Sequence, residues 1–230
     1  MAHADPRIVA GAEIGALAVV GDRWSDLDLT FGLADGAGVD SALADWTAEV
    51  TREFDAVHLF DLPFLTSIYR VFLLPGNLQV DLSFTPEGDF GALGPKFTLL
   101  FGDAVERDPV PQPAAQDLFG LGAHHAVRAR ICIERGRSWQ AEYWISALRD
   151  QALSLASRRR GLEVPYGRGF DELPAETLGQ ASTALVRSVE REELLRALRA
   201  AIDLLLQEAD ELQPASSLAA QLRELPDDLS

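Results

Sequence analysis

At 230 residues and a formal net charge of −16, the chain is long enough for one domain, or two small ones, with a real core. Its single cysteine, Cys132, excludes an intrachain disulfide and fits a cytoplasmic setting. No apolar run approaches the ~18 residues that span a bilayer, nothing at the N-terminus reads as a signal peptide, and the acidity argues against a nucleic-acid partner, whose backbone needs Lys and Arg to replace counterions.

Residues 1–6 read as a short tail. Arg7 to Ile14 (RIVAGAEI) is a strand candidate running into the small pair Gly15-Ala16. Leu17 to Asp22 is then a tight turn or short helix containing Gly21, and at both glycine positions backbone amides can approach a polyphosphate closely. The run RWSDLDLTFG follows, with Trp24 read as a turn-capping aromatic. In it Asp26 and Asp28 alternate with Leu27, Leu29 and Phe31, so period two puts both carboxylates on one strand face. At ~4 Å and an effective dielectric of ~20, two such charges repel by about 4 kcal/mol. A divalent cation offsets that repulsion, and hard oxygen ligands suit magnesium. The plain alternative is a surface strand whose polar face carries two aspartates.

Ala34 to Ser41 is a turn-rich loop. Asp40 or Ser41 is expected to cap a helix to about Phe54, with Leu43, Trp46, Val50 and Phe54 as its apolar stripe. Ala56–Phe60 and Ser67–Leu74 read as strands, and Pro75-Gly76-Asn77 as a hairpin turn. The next strand, LQVDLSF, carries Asp81, which an adjacent strand would bring beside Asp26 and Asp28. His58 lacks the companions of a metal site and reads as a strand-surface histidine. For Arg70, ordinary cross-strand pairing is favoured over a reach to Asp81 or a phosphate. The glycine-rich stretch Gly88–Phe97, with the lone lysine Lys96, lacks the spacing and ending of a phosphate-binding P-loop. Thr98–Phe101 would add an edge strand.

Asp103 to Asp117 is charged, then rich in proline and alanine, and marks a boundary. The division is 1–102 as the first domain, 103–118 as linker and 119–230 as a helical domain. Helices are expected over Ala123–Arg135, Trp139–Arg159, Pro174–Ser182, Ser188–Glu211 and Ser216–Leu222. Leu194, Leu198, Ile202, Leu205 and Ala209 form the clearest amphipathic stripe. On the second helix Glu142 is the carboxylate chosen to face an acceptor, beside Trp139 and Tyr143, with a solvated helix face as the plain alternative. His124 and His125 point about 100° apart and would not ligate one metal together.

The glycine followed about ten residues later by Asp-x-Asp (Asp26, Asp28), with a third carboxylate (Asp81) on a later strand, resembles the nucleotidyltransferase superfamily. The SDLDL core and its RWSDLDLTFG context look like the aminoglycoside and lincosamide nucleotidyltransferase branch, over roughly residues 8–102. The resemblance implies an α+β chain, with a mixed sheet flanked by helices followed by a C-terminal helical bundle. It implies transfer of a nucleoside monophosphate from ATP or another nucleoside triphosphate to a hydroxyl of a small acceptor. Two magnesium ions would sit on Asp26, Asp28 and Asp81. Gly15, Ala16, Gly21 and Ser25 would contact the nucleotide. The negative potential favours a cationic acceptor such as an aminoglycoside, with simple solubility as the equal alternative.

One position departs from the family. The serine that follows the glycine, whose hydroxyl helps hold the terminal phosphates, is Ala16 here. Three readings therefore stand: a small-molecule nucleotidyltransferase, an enzyme modifying a protein partner, and a non-catalytic nucleotide-binding or interaction protein. Monomer and homodimer both remain open.

Overall fold

Apolar alternation between residues 8 and 101 produces six strands in the computed structural model, which describes residues 1–15, 24–213 and 216–227. They are β1 (Ile8–Ile14), β2 (Leu27–Leu33), β3 (Val57–Phe64), β4 (Ser67–Leu74), β5 (Leu78–Pro86) and β6 (Phe97–Phe101). The sheet order is β3-β4-β5-β2-β1-β6. Only β2 and β5 run parallel; the other neighbours are antiparallel, so the sheet is mixed. The chain divides into two compact units, Met1–Val110 holding this sheet and Pro111–Ser230 holding a helical bundle. The class is α+β.

The β4–β5 hairpin forms where Pro75-Gly76-Asn77 predicts it. Gly76 (φ 83°) and Asn77 (φ 66°) both adopt the left-handed backbone that these residue types tolerate. The β3–β4 hairpin is a difference. β3 runs on through Pro63 to Phe64 rather than ending at Phe60, and Leu65 (φ 53°) makes the turn. Proline usually ends a strand, but β3 is the sheet's edge, where a residue without an N–H can face away from the ladder.

Helix α1 (Val39–Phe54) lies against one face of the sheet through Leu43, Trp46 and Val50. Its N-cap is Gly38, with no side-chain cap, so neither Asp40 nor Ser41 plays that part and the helix starts two or three residues earlier in the loop. Phe54 ends the helix exposed, outside the stripe. Trp46 packs tilted against Phe31 and edge-on to Phe84, at centroid distances of 4.8 and 5.3 Å. Its indole N–H donates to Asp5 Oδ2 (2.9 Å), and Asp5 also accepts from the Arg7 guanidinium, which reaches Asp45 as well.

That clamp carries a pH dependence. The Arg7 hydrogen bonds, opposed by burial and aided by Trp46, hold the Asp5 carboxyl well below the usual range. A depressed carboxyl contributes stability above its unfolded pKa and loses it as pH falls through the folded one. Asp5→Asn should therefore lose about 2 kcal/mol near neutrality, the scale of a charged hydrogen bond. It should also flatten the decline in stability below about pH 4, as read by urea melts across pH.

The second unit contains α2 (Ala115–Glu134), α3 (Ser138–Arg159), α4 (Ala175–Thr183), α5 (Arg191–Glu208) and α6 (Ser216–Glu224). α2 begins eight residues before the expected Ala123, inside the stretch read as a linker. Gly120 and Gly122 weaken helix propensity there, but tertiary packing overrides it. A Cβ on Gly122 would stand 2.8 Å from Leu205, so the glycine lets α2 and α5 approach closely. Gly136 (φ 62°) turns the chain between α2 and α3. Leu194, Leu198, Ile202, Leu205 and Ala209 are all buried, as their spacing predicts, and Cys132 packs in the same core. Among the described residues no helix is long and apolar enough to cross a membrane.

Candidate functional site

Val80 and Leu82 point to the α1 face of the sheet, and alternation therefore sends Asp81 to the opposite face. The parallel β2–β5 register sets Asp28 directly beside Asp81, and the β1–β2 register sets Ile14 beside Asp28. Asp26 lies just ahead of β2, two residues before Asp28. One carboxylate oxygen from each of Asp26, Asp28 and Asp81 lies within 4.8 Å of the others, and all three side chains are half-buried. Among the described residues this is the one group of three or more such ligand types close enough to hold a metal ion.

The electrostatics of Asp81 reflect burial first and its neighbours second. Burial pushes the Asp81 carboxyl above its ordinary range, and the neighbouring Asp26 charge adds to the rise. Hydrogen bonding to Gln79 and Asp28 opposes it. The Gln79 amide donates to Asp81 Oδ1 at 3.0 Å, from two residues earlier on the same strand face. Tyr69 on β4 lies across from Ser83 on β5, one step along the same face. Burial raises the Tyr69 phenol, and the Asp28 charge contributes in the same direction. Ser83 is fully buried beside it, and Ser67 and Thr85 share a hydrogen bond of 2.6 Å further along. Sequence reading missed Gln79, Tyr69 and Ser83. The signal available was Gln79's i−2 spacing from Asp81; Tyr69 needed the β4–β5 register.

Gly15 closes the site from β1. It adopts φ 84°, its N–H donates to Lys96 O (3.2 Å), and a Cβ built on it would overlap Asp28 Oδ2. Two features therefore demand glycine here, a left-handed backbone and direct contact with a site carboxylate. Ser25 is half-buried next to Asp26, and Trp24 is largely exposed. Ala16 and Gly21, both expected at the nucleotide, lie outside the described residues.

Arg70 faces away from the carboxylates. It pairs with Asp61 across β3–β4 (2.6 Å) and donates to Thr47 Oγ1 (2.8 Å) and Leu43 O on α1. His58 binds Asp61 at 3.0 Å and is part of the same edge network. In the second unit, Glu142 on α3 is half-buried and accepts a hydrogen bond from Ser146 (2.8 Å). Trp139 and Tyr143 are exposed on that helix, while Trp144 packs between His124, His125 and Tyr143. Burial lowers the His125 imidazole.

No protein-family model matches the chain, and no curated protein matches it. Among solved structures it is similar to an aminoglycoside 6-adenyltransferase from Bacillus subtilis. The TM-score is 0.46 and the identity 12%, over 98% of this chain and 93% of that one.

The donor set itself limits the chemistry. Three carboxylates without a thiolate or imidazole form a hard, oxygen-only site, which suits magnesium, manganese or calcium rather than zinc or copper. A cation held among them would offset the Asp26 charge that, after burial, raises the Asp81 carboxyl.

Proposed function

We propose that the sheet unit catalyses transfer of a nucleoside monophosphate from a nucleoside triphosphate to a hydroxyl of a small acceptor. The observation that carries the reading is the convergence of Asp26, Asp28 and Asp81 on the face opposite α1, with Gly15 seated against Asp28. In the reaction the acceptor oxygen forms a bond to the α-phosphorus, pyrophosphate leaves, and the acceptor's proton passes to base or solvent. Asp26 and Asp28 would hold two magnesium ions and Asp81 would share one of them. When bound, such a pair stabilises the attacking and leaving oxygens of an in-line displacement.

The chain's own residues do the positioning. The paired β2 and β5 backbones hold Asp28 and Asp81 in register, so little reorganisation is needed at the moment of transfer. Gly15 seats the Asp28 carboxylate at the end of β1, and Gly15, Ala16, Gly21 and Ser25 are assigned to the nucleotide contact. Glu142 is assigned to the acceptor, as its carboxylate partner or general base. The net charge of −16 supports a cationic acceptor, an aminoglycoside being the first to try. A non-catalytic nucleotide-binding role is the second reading, favoured by Ala16 in place of the family's serine.

Calorimetric titration of ATP and then GTP in magnesium tests the proposal. Magnesium-dependent binding is expected, and binding to neither triphosphate would overturn it. Binding without turnover over a panel of small acceptors would favour the second reading. A pH dependence follows from Asp81. A cation needs the carboxylate ionised, and this carboxyl sits above the ordinary range. Metal affinity should therefore decline as pH falls through a window above the usual carboxylate pKa of ~4, visible in manganese titrations between pH 7 and pH 4.5. Asp81→Asn should remove most of that slope.

A further inference from the structure

We infer that Gln79 is a positioning residue for this site, a neutral donor that aims the Asp81 carboxylate at a divalent cation without cancelling its charge. The inference rests on the metal-site reading above and concerns a side chain that the Asp-x-Asp pattern does not include.

The geometry is specific. Gln79 and Asp81 are i and i+2 on β5, so both project from the same face, and the amide Nε2 donates to Asp81 Oδ1 at 3.0 Å. The donor is itself held firmly. The hairpin at Gly76 and Asn77 fixes the start of β5, and Gln79 is paired with Leu73 on β4. The parallel register pairs Leu27 with Val80. Gln79 is half-buried, which strengthens the bond relative to a solvated one.

The choice of residue type matters. An ionised carboxylate offers about four lone-pair positions, so one amide bond fixes its rotation and leaves the others to a cation. A lysine or arginine at this position would also orient Asp81, but its charge would compete with the metal for the same carboxylates. A leucine would fill the space and leave Asp81 free to turn. Glutamine alone of these supplies direction and keeps the cluster's full negative charge. Outer-shell partners of metal ligands commonly account for 10–100-fold in affinity.

The test is manganese alone, titrated by calorimetry into the full chain, with Gln79→Leu, Gln79→Lys and the Asp26→Ala/Asp28→Ala double variant. Gln79→Leu should weaken manganese binding about 10–100-fold, with a metal-free melting temperature at or below that of the parent. Gln79→Lys should weaken it at least as much while raising the metal-free melting temperature, because the ammonium neutralises the cluster. That pattern, weaker metal binding in both variants with metal-free stability raised by the lysine alone, is what a merely structural glutamine would not produce. Unchanged manganese affinity in Gln79→Leu would overturn the inference and leave the metal site standing. Failure of the parent to bind manganese more tightly than the double variant would overturn both together.

Discussion

Removing Asp26 and Asp28 together is expected to abolish magnesium-dependent nucleotide binding and any nucleotidyl transfer, while making the metal-free protein more stable. The two halves of that result come from one cause. One oxygen from each of the three carboxylates lies within 4.8 Å of the others. A like-charge pair at that distance repels by about 1 kcal/mol at the dielectric of water and about 3 kcal/mol at an effective dielectric of 20. Half-burial places the real cost between those limits. Asp26→Ala/Asp28→Ala removes the repulsion and should raise the metal-free melting temperature, since unfavourable site charge is held in the fold for function. The same change strips two of three ligands from the site. Metal charge stabilisation is worth several kcal/mol in such transfers, and each 1.36 kcal/mol is tenfold in rate. Turnover should therefore drop by about 10³-fold or more. Scanning calorimetry with and without magnesium, beside an assay of pyrophosphate release, reads both halves. A double variant that melts lower than the parent without metal would show that the carboxylates are structural. One that retains turnover would remove them from the reaction.

Much of this arrangement was legible in the sequence, for identifiable reasons. The alternation of Asp26 and Asp28 with Leu27 and Leu29, and of Asp81 with Val80 and Leu82, fixes which face each carboxylate takes. Their pairing across β2 and β5 followed from expecting adjacent strands, and the observed register puts Asp28 opposite Asp81. The amphipathic stripe of α5 was equally plain, because four leucine or isoleucine residues recur at helical spacing. What local pattern could not supply was anything settled by packing at a distance. α2 starts eight residues early because Gly122 fits under Leu205, and no propensity scale contains Leu205. β3 continues through Pro63 because it is an edge, which depends on the order of the whole sheet. Gln79 and Tyr69 were missed because a glutamine or tyrosine on a strand means little until its cross-strand neighbours are known. Gly15 was read as a place for phosphate approach; its contact with Asp28 was not foreseeable from spacing.

Gly15→Ala is the single substitution expected to do most damage for its size. The glycine occupies φ 84°, where an L-residue pays roughly 1–2 kcal/mol for the clash of its Cβ with its own backbone. A second cost is particular to this chain, since the added methyl would overlap Asp28 Oδ2. Either β1 shifts away from β2 at Ile14 and Asp28, or the carboxylate swings off its position. The β1–β2 pairing runs from Ile8 to Ile14, and Gly15 is further tied to Lys96 through its N–H, so the side chain is the softer partner. Displacing a site group by ~1 Å commonly costs ~10²-fold in turnover. The expected phenotype is a folded protein, destabilised by about 1–2 kcal/mol, with manganese affinity and nucleotidyl transfer each reduced by about 10²-fold. Gly36 is the natural control. It also has a positive φ (82°), yet nothing lies within 4 Å of a Cβ built there. Gly36→Ala should show the backbone cost in urea melts while leaving manganese binding intact. If Gly15→Ala behaved like Gly36→Ala, the contact with Asp28 would carry no function, and Gly15 would be a turn residue alone. If it loses metal binding where Gly36→Ala does not, the glycine ahead of the Asp-x-Asp strand has a role in seating the carboxylate as well as in admitting a phosphate.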